Sequence, residues 1–287
     1  MKQYWSMTEG VFNCLGDRRR TRAFARAIRN TVGHDSLVAD LGSGSGIMAL
    51  FAAKAGAKKV FAVEHDEKNA KWLEKTFAAN GYGNVIEVVQ KDARKVVLPQ
   101  KVDVIICEMI ATGLIEELQI PVMNQALKSA RTNVRVILET IENYIEAVEI
   151  DDRFYGFRLP VPQYEYPGEH SVRVRPLTPK HLYRAVNFTK ENSTHVDLAI
   201  EQPVHSVKTG TINGIRISNR TVFCDGSTFG ASASYCYPLI LPVSPISAKK
   251  GDKIVVKLSY DMCGGGGFST LRCDVRKSVA KDMEVPT

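Results

Sequence analysis

LVADLGSGSG, residues 37–46, contains a short apolar run followed by three alternate glycines. The run from Leu37 to Leu41 predicts a buried strand. The glycines predict a tight turn into a helix, because residues without a Cβ let the backbone turn sharply and approach a ligand closely. From here to about residue 150, β-branched runs alternate with helical stretches. That alternation predicts parallel strands joined by crossover helices, hence a Rossmann-like doubly wound sheet that binds its ligand at the carboxyl ends of the strands.

A different pattern follows residue 151. Five prolines between residues 160 and 179 interrupt the chain, and short alternating runs separated by Gly and Asn turns come after them. These features predict an antiparallel β-barrel or sandwich. We therefore expect an α/β + β architecture with an N-terminal helical segment over residues 1–36, a doubly wound domain over residues 37–150 and a β domain over residues 151–287.

The composition is that of a globular protein, with 287 residues, 44% of them hydrophobic and 24% charged. No apolar run approaches the ~20 residues that span a bilayer, and the start lacks the apolar stretch of a signal peptide. We therefore expect a cytoplasmic protein without a membrane partner. The six cysteines form no Cys-x-x-Cys pair and no zinc-ligand spacing, so we expect no metal. The formal charge of +7 favours an anionic partner without naming one.

The glycine spacing G-x-G-x-G differs from the G-x-G-x-x-G of dinucleotide sites. Glu64 ends the second predicted strand, where a carboxylate can accept hydrogen bonds from both hydroxyls of a ribose, and Asp92 follows the third strand, where it can take an adenine amino group. Together these residues resemble the signature of class I methyltransferases that use S-adenosylmethionine. The predicted cofactor site comprises Arg20, Asp40, Gly42, Ser43, Gly44, Gly46, Glu64, Asp92, Ala93 and Glu108.

The helix predicted after Asp17 gives independent support for this site. Phe24, Ile28 and Val32 recur at a spacing of four and define an apolar stripe, and Arg20 lies four residues before Phe24 on the same line. Arg20 therefore faces inward and needs an anionic partner. The methionine carboxylate of the cofactor is a candidate.

Two carboxylates mark the expected acceptor site. Glu108 ends the fourth predicted strand, and Glu117 follows nine residues later at the start of a helix predicted over residues 114–131. A pair of carboxylates on two sides of one pocket suits a guanidinium, which is planar, always charged and rich in donors. We therefore expect Glu108 and Glu117 to be catalytic.

Across nearly its whole length the chain resembles the protein arginine methyltransferases. The resemblance is carried by the glycine motif, by residues 51–57 behind it, by Glu64 and by the two glutamates, which match the family's two-glutamate loop. It implies that Arg20 holds the methionine carboxylate and that the substrate is a protein or peptide. It also implies a homodimer formed through an arm near residues 157–178.

The chain departs from the family at the expected substrate pocket. The Thr-His-Trp loop of the family falls at residues 234–236, where Tyr235 replaces the histidine, and the aromatic segment before the first helix is reduced to Tyr4 and Trp5. We expect Tyr4, Trp5, Met109 and Tyr235 to line the substrate pocket. Arg94 stands where the family commonly has an adenine-binding glutamate, which leaves Asp92 as the predicted adenine partner.

Two alternatives stay open at this point. The same fold and cofactor could serve a histidine or cysteine side chain of one dedicated protein, or a small amine, because a changed barrel wall changes the shape of the pocket. A nucleic-acid methyltransferase or an inactive binding module would account for the basic charge. The sequence has no aromatic-rich basic stripe that would support nucleic-acid binding.

Overall fold

The computed structural model describes residues 8–166, 173–205, 209–263 and 268–278. Tyr4 and Trp5 lie outside the described residues. Two helices begin the described chain, α1 (Thr8–Gly16) and α2 (Arg18–Thr31). Asp17 caps α2, since its side chain accepts a hydrogen bond from the Arg20 amide at 3.1 Å. Within the described ranges, no helix is long and apolar enough to cross a membrane.

The first sheet is parallel and buried between helices. Its strands and the helices that connect them are β1 (Leu37–Leu41), α3 (Ile47–Lys54), β2 (Lys59–Glu64), α4 (Glu67–Ala79), β3 (Ile86–Gln90), β4 (Val102–Cys107), α5 (Gln119–Ala126) and β5 (Ala130–Ile137). The strand order is β3-β2-β1-β4-β5, and every neighbouring pair is parallel. All five residues of β1 are buried, as expected for a central strand covered on both faces. The predicted doubly wound sheet is confirmed.

Antiparallel sheets follow, which confirms the second half of the fold class. Their strands are β6 (Thr140–Ile150), β7 (Arg153–Phe154), β8 (Phe157–Arg158), β9 (Gln163–Tyr164), β10 (Val174–Pro176), β11 (His181–Asn187), β12 (His195–Pro203), β13 (Gly210–Val222), β14 (Thr228–Phe229), β15 (Leu239–Ala248), β16 (Lys253–Asp261) and β17 (Arg272–Lys277). A seven-stranded sheet follows the path β10-β6-β13-β15-β9, with β11 paired to β6 and β14 paired to β13. The strands β12-β16-β17 form a second sheet, and β7 and β8 form a hairpin.

The antiparallel part begins earlier than the expected boundary at residue 150. β6 pairs with β13 from Thr140 to Val148, so this strand belongs to the second half of the chain. Its β-branched composition resembles that of the preceding parallel strands. Its antiparallel pairing with β10, β11 and β13, which all follow it in the chain, assigns it to the other sheet.

The helix expected over residues 114–131 is broken. A 3-10 turn over residues 112–114 comes first, α5 spans only Gln119–Ala126, and another 3-10 turn covers residues 127–129. Gly113 has a φ of 67°, in the left-handed region, where an α-helix cannot continue. The segment that carries Glu117 is therefore a loop rather than a helix start.

Candidate active site

A cavity lies at the carboxyl ends of β1 and β4, beneath α1. Its walls come from α1, from the glycine turn after β1, from the loop after β4 and from the segment around Ser234. The site residues predicted from the sequence that line it are Arg20, Asp40, Gly42, Ser43, Gly44, Glu108 and Glu117. The structure thus brings the predicted cationic residue and both predicted catalytic glutamates to one cavity.

Arg20 forms a buried ion pair with Glu108. The side chains of the two residues are only 7% and 11% exposed, and Arg20 also donates from Nη1 to the Cys14 carbonyl at 3.3 Å. The guanidinium carbon lies 5.5 Å from the centre of the Phe24 ring. Arg20 does face inward, as its spacing from Phe24 predicts, and within the protein its anionic partner is Glu108. Its Nε is buried and has no hydrogen-bond partner.

Asp40 is a further buried ionisable residue of the cavity, in addition to Arg20 and Glu108. Its Oδ2 atom has no hydrogen-bond partner, and burial raises the pKa of Asp40 to about 7. Two unpartnered polar atoms of opposite charge type, Arg20 Nε and Asp40 Oδ2, therefore belong to residues that line the same cavity. A buried polar atom without a hydrogen-bond partner destabilises the protein unless a ligand supplies the partner.

Glu64 fixes the glycine turn from the end of β2. Its carboxylate accepts hydrogen bonds from the Gly44 amide at 3.2 Å and from Asn69 Nδ2 at 2.9 Å. Gly42 faces Met109 so closely that a Cβ there would overlap the Met109 side chain. Met109 thus packs against the glycine turn. Gly46 begins α3 with a φ of 76° and does not line the cavity.

The residues predicted to bind adenine do not line the cavity. Asp92 forms an ion pair with Arg94, with 2.7 Å between Nη2 and Oδ2, and this interaction lowers the pKa of Asp92 to about 2. Ala93 is buried beside it. Asp92 follows β3, and the adjacent Lys91 amide donates to the Glu64 carbonyl at 3.0 Å, so both predicted nucleoside contacts share one edge of the sheet.

The loop that carries the two glutamates is held by the antiparallel half. Thr112 donates to the Tyr237 carbonyl at 2.6 Å, the Gly113 amide donates to Asn219 Oδ1 at 3.0 Å, and Tyr260 donates to the Gly113 carbonyl at 2.8 Å. Asn219 and Tyr260 lie more than a hundred residues from the loop and are not among the site residues predicted from the sequence. Their sequence carries no signal for this role.

Glu117 lies in the cavity wall on the far side of this loop. It is accessible from the cavity, yet the surrounding protein raises the pKa of its carboxyl, while nearby Arg20 acts in the opposite direction. Glu117 therefore differs from Glu108, whose carboxylate is already paired with Arg20.

Tyr235 is placed in the core rather than in the substrate pocket. It is 2% exposed, its ring packs against Phe229 and Phe24, and its hydroxyl lies 2.6 Å from Thr221 Oγ1. Its neighbour Ser234 lines the cavity instead. The prediction for Tyr235 fails because a residue's position in a loop does not give the direction of its side chain.

A hydrogen-bond cluster that the sequence does not indicate joins α2 to the segment around Ser234. Asp17 Oδ2 accepts from Ser232 Oγ at 2.5 Å, from the Ser234 amide at 2.9 Å and from Ser234 Oγ at 3.2 Å. Burial acts to raise the pKa of Asp17, but these hydrogen bonds and that of the Arg20 amide outweigh it and lower the pKa. Asp17 therefore links the first turn of α2, which carries Arg20, to the segment around Ser234.

The strand order, the glycine turn after β1 and the acidic end of β2 define a class I methyltransferase that uses S-adenosylmethionine. Residues 14–154 match the sequence profile of the ribosomal protein L11 methyltransferase (PrmA) family. The described part of the chain holds no group of three or more His, Cys, Asp or Glu side chains arranged for a metal ion.

Two relatives match almost the whole of this chain. An uncharacterised protein of Methanothermobacter thermautotrophicus is 32% identical over 267 residues, 92% of this chain and 96% of its own. One of Methanocaldococcus jannaschii is 28% identical over 277 residues, 96% and 100% of the two chains. Rice protein arginine N-methyltransferase PRMT10 is 41% identical, but only over 105 residues, 36% of this chain and 27% of the rice protein.

Solved structures of two protein arginine methyltransferases share the fold. Arabidopsis thaliana protein arginine methyltransferase 10 superposes with a TM-score of 0.73 at 16% identity, over 92% of this chain and 96% of that one. The Trypanosoma brucei PRMT1 enzyme-prozyme complex with AdoHcy gives 0.71 at 18% identity, over 86% of each chain. The chain belongs to one family with the Methanothermobacter protein. It is a class I methyltransferase similar to the protein arginine methyltransferases.

The cavity fits the amino-acid end of S-adenosylmethionine. A free Arg20 N–H matches a carboxylate and a free Asp40 oxygen matches an ammonium group, so both buried atoms that lack partners would gain one. Arg20 and Asp40 would hold the methionine moiety, and the glycine turn allows close approach of the ligand. Glu64 and Asp92 stay predictions for the nucleoside end.

Asp40 gives a prediction about pH. Its folded-state pKa of about 7 lies above the usual 3.8, so its ionisation destabilises the ligand-free protein as pH rises from about 4 to 7. We expect Asp40→Asn to remove this slope and to stabilise the ligand-free protein at pH 8 by a few kcal/mol, since each pKa unit corresponds to about 1.4 kcal/mol. Urea denaturation from pH 4 to 8 measures this, with exposed Asp35→Asn as the control.

The same ionisation controls ligand binding in the opposite sense. Only ionised Asp40 can form an ion pair with an ammonium group, so the affinity for S-adenosylhomocysteine should fall about tenfold for each pH unit below 7. Asp40→Asn should bind weakly at every pH. Equal affinity of the wild-type protein at pH 5.5 and pH 8 in calorimetric titrations would rule out this role.

Proposed function

We propose that this methyltransferase modifies an arginine side chain of a protein or peptide. The observation that carries the proposal is the presence of two carboxylates, Glu108 and Glu117, in one cavity that also contains the groups suited to the methionine end of the cofactor. A guanidinium stays charged at any physiological pH and presents donors in a planar fork, which two carboxylates can engage at once.

The two glutamates have different roles in this proposal. Arg20 holds Glu108 in place, so Glu108 acts as a fixed anion that orients the guanidinium. Glu117 has a carboxyl with a raised pKa, so it is the better group to take the proton that the guanidinium nitrogen loses when it is methylated. Bound S-adenosylmethionine supplies the methyl group as a reactive sulfonium. The protein contributes orientation and preplaced negative charge.

Similarity to the arginine methyltransferases supports the proposal. The rice enzyme that matches 105 residues at 41% identity is named a protein arginine N-methyltransferase. That alignment covers about a quarter of the rice protein. The main support for an arginine acceptor therefore comes from the cavity of this chain.

The alternative acceptors are a histidine or cysteine side chain, or a small amine. Ser234 in the cavity wall favours them, because a small hydroxyl lines the cavity and the bulkier Tyr235 beside it is buried in the core. A nucleic-acid substrate has weaker support, since both glutamates of the cavity would repel phosphate.

We also propose a homodimer formed through the arm that begins near residue 157. The hairpin of β7 and β8 exposes apolar side chains, with Tyr155 97% and Phe157 70% exposed, and more follow at Leu159 and Val161. Such a continuous exposed run is typical of a docking surface.

We further propose that the enzyme acts in the cytoplasm. All six cysteines are free thiols, as is usual in a reducing compartment. Recovery of the native protein from the membrane or secreted fraction of its cells would contradict this.

Replacement of Glu117 tests the arginine proposal. We expect Glu117→Gln to lower the rate of methyl transfer to arginine at least about a hundredfold, since a neutral amide neither balances the guanidinium nor accepts its proton. Affinity for S-adenosylhomocysteine should stay within about twofold of wild type. The assay incubates labelled S-adenosylmethionine with a pool of peptides that each contain one arginine and identifies the labelled residue by mass spectrometry.

Glu116→Gln is the matched control, because Glu116 is the exposed neighbour whose carboxylate accepts from Tyr164 at 3.1 Å. It should transfer methyl groups at a near wild-type rate. Full activity of Glu117→Gln would overturn the two-carboxylate mechanism. Label on histidine or cysteine alone would favour the alternative acceptor.

The dimer is tested by placing a charge on the arm. Phe157→Glu should shift the protein toward monomer in sedimentation velocity experiments, because a charge buried in an apolar interface lacks a partner. Val97→Glu, at an equally exposed apolar residue outside the arm, should sediment as wild type does. A wild-type monomer at high concentration would refute the dimer.

A further inference from the structure

A second concave surface adjoins the active-site cavity. This groove is lined by the start of α2, by the residues after β9 and by the segment from Ala231 to Pro238. Asp17 and Ser232 line the groove, whereas Arg20 and Ser234 line the cavity. Because Asp17 Oδ2 binds both serines, a single hydrogen-bond cluster separates the two surfaces.

Two arginines bring positive charge to the groove, beside the Asp17 carboxylate that caps α2. Arg18 and Arg19 line it, both are exposed, and neither forms an ion pair with any described residue. The groove also contains Glu165, but that carboxylate is paired with Arg216 at 3.0 Å. The first turn of α2 contains no acidic residue, so the arginines lie at a helix end where positive charge is unfavourable.

The opposite wall of the groove is aromatic. The rings of Tyr166 and Tyr237 are 4.8 Å apart at an interplanar angle of 67°, and the Tyr237 hydroxyl donates to the Ala233 carbonyl at 2.7 Å. Rings in this edge-to-face arrangement offer a wall for a peptide rather than flat platforms for stacked bases. This wall therefore favours a peptide over a nucleic acid.

We propose that this groove binds the part of a protein substrate next to the methylated residue, and that Arg18 and Arg19 select substrates with an acidic side chain there. The inference rests on the proposed function, which places the target arginine in the acidic cavity. The substrate then carries opposite charges within a few residues: a cation for Glu108 and Glu117, and an anion for Arg18 and Arg19.

The test measures binding with the full-length protein loaded with S-adenosylhomocysteine. Two fluorescein-labelled eleven-residue peptides each carry one central arginine; in one, glutamates stand two to four residues from it on both sides, and in the other these are glutamines. We expect the glutamate peptide to bind about tenfold more tightly at low salt, since its carboxylates can form exposed ion pairs with both arginines. Screening at high salt should abolish the difference.

Two double variants test whether Arg18 and Arg19 produce the preference for the glutamate peptide. Arg18→Gln with Arg19→Gln should reduce the preference to less than about twofold. Arg26→Gln with Arg29→Gln removes the same charge from exposed positions of α2 outside the groove and should keep it. Thermal denaturation verifies that both double variants fold.

Three results would overturn the inference: equal binding of the two peptides, an equal loss in both double variants, or tight binding of a single-stranded oligonucleotide in place of the glutamate peptide. Methyl transfer is a separate readout. Selective binding of the glutamate peptide without labelled arginine keeps the groove and rejects the proposed function. Equal binding with labelled arginine keeps the function and rejects the groove.

Discussion

The buried ion pair between Arg20 and Glu108 is the interaction on which the site depends. It joins α2 to the end of β4 and closes one side of the cavity. Two charges with so little exposure are costly to remove from water, and removal of either partner alone would leave the other buried and unpaired at a cost of about 3–5 kcal/mol. Asp17 caps the helix and binds Ser232 and Ser234, so the arginine is fixed to both halves of the fold.

This pair explains why one arginine can serve two sites. One of its terminal nitrogens engages Glu108, while Nε has no partner and belongs to a residue that lines the cavity. The proposed cofactor carboxylate and the proposed substrate guanidinium would therefore meet a shared network of alternating charge. The surroundings of the site alternate as well, since the acidic cavity adjoins a groove with a cationic rim.

Local patterns in the sequence predict the parts of this arrangement that depend on neighbouring residues. The glycine turn after β1 and the inward direction of Arg20 follow from spacing alone. Local patterns do not predict contacts between residues far apart in sequence. Such contacts place β6 in the antiparallel sheet and Tyr235 in the core. They also include the hydrogen bonds from Asn219 and Tyr260 that hold the Gly113 turn. Asp92 forms an ion pair with Arg94, only two residues away. The spacing of the two residues did not show that Asp92 would pair with Arg94 within the protein.

The central claim is that Arg20 holds the amino-acid end of the cofactor. The most direct measurement compares S-adenosylhomocysteine with 5′-methylthioadenosine, which lacks the amino and carboxylate groups, by calorimetric titration of the wild-type protein and of Arg20→Gln with Glu108→Gln. The double substitution removes both partners of the ion pair, so neither is left buried without the other. The account predicts that affinity for S-adenosylhomocysteine falls between about ten- and a hundredfold while affinity for 5′-methylthioadenosine is unchanged. An equal change for both ligands, or no change for either, would contradict it.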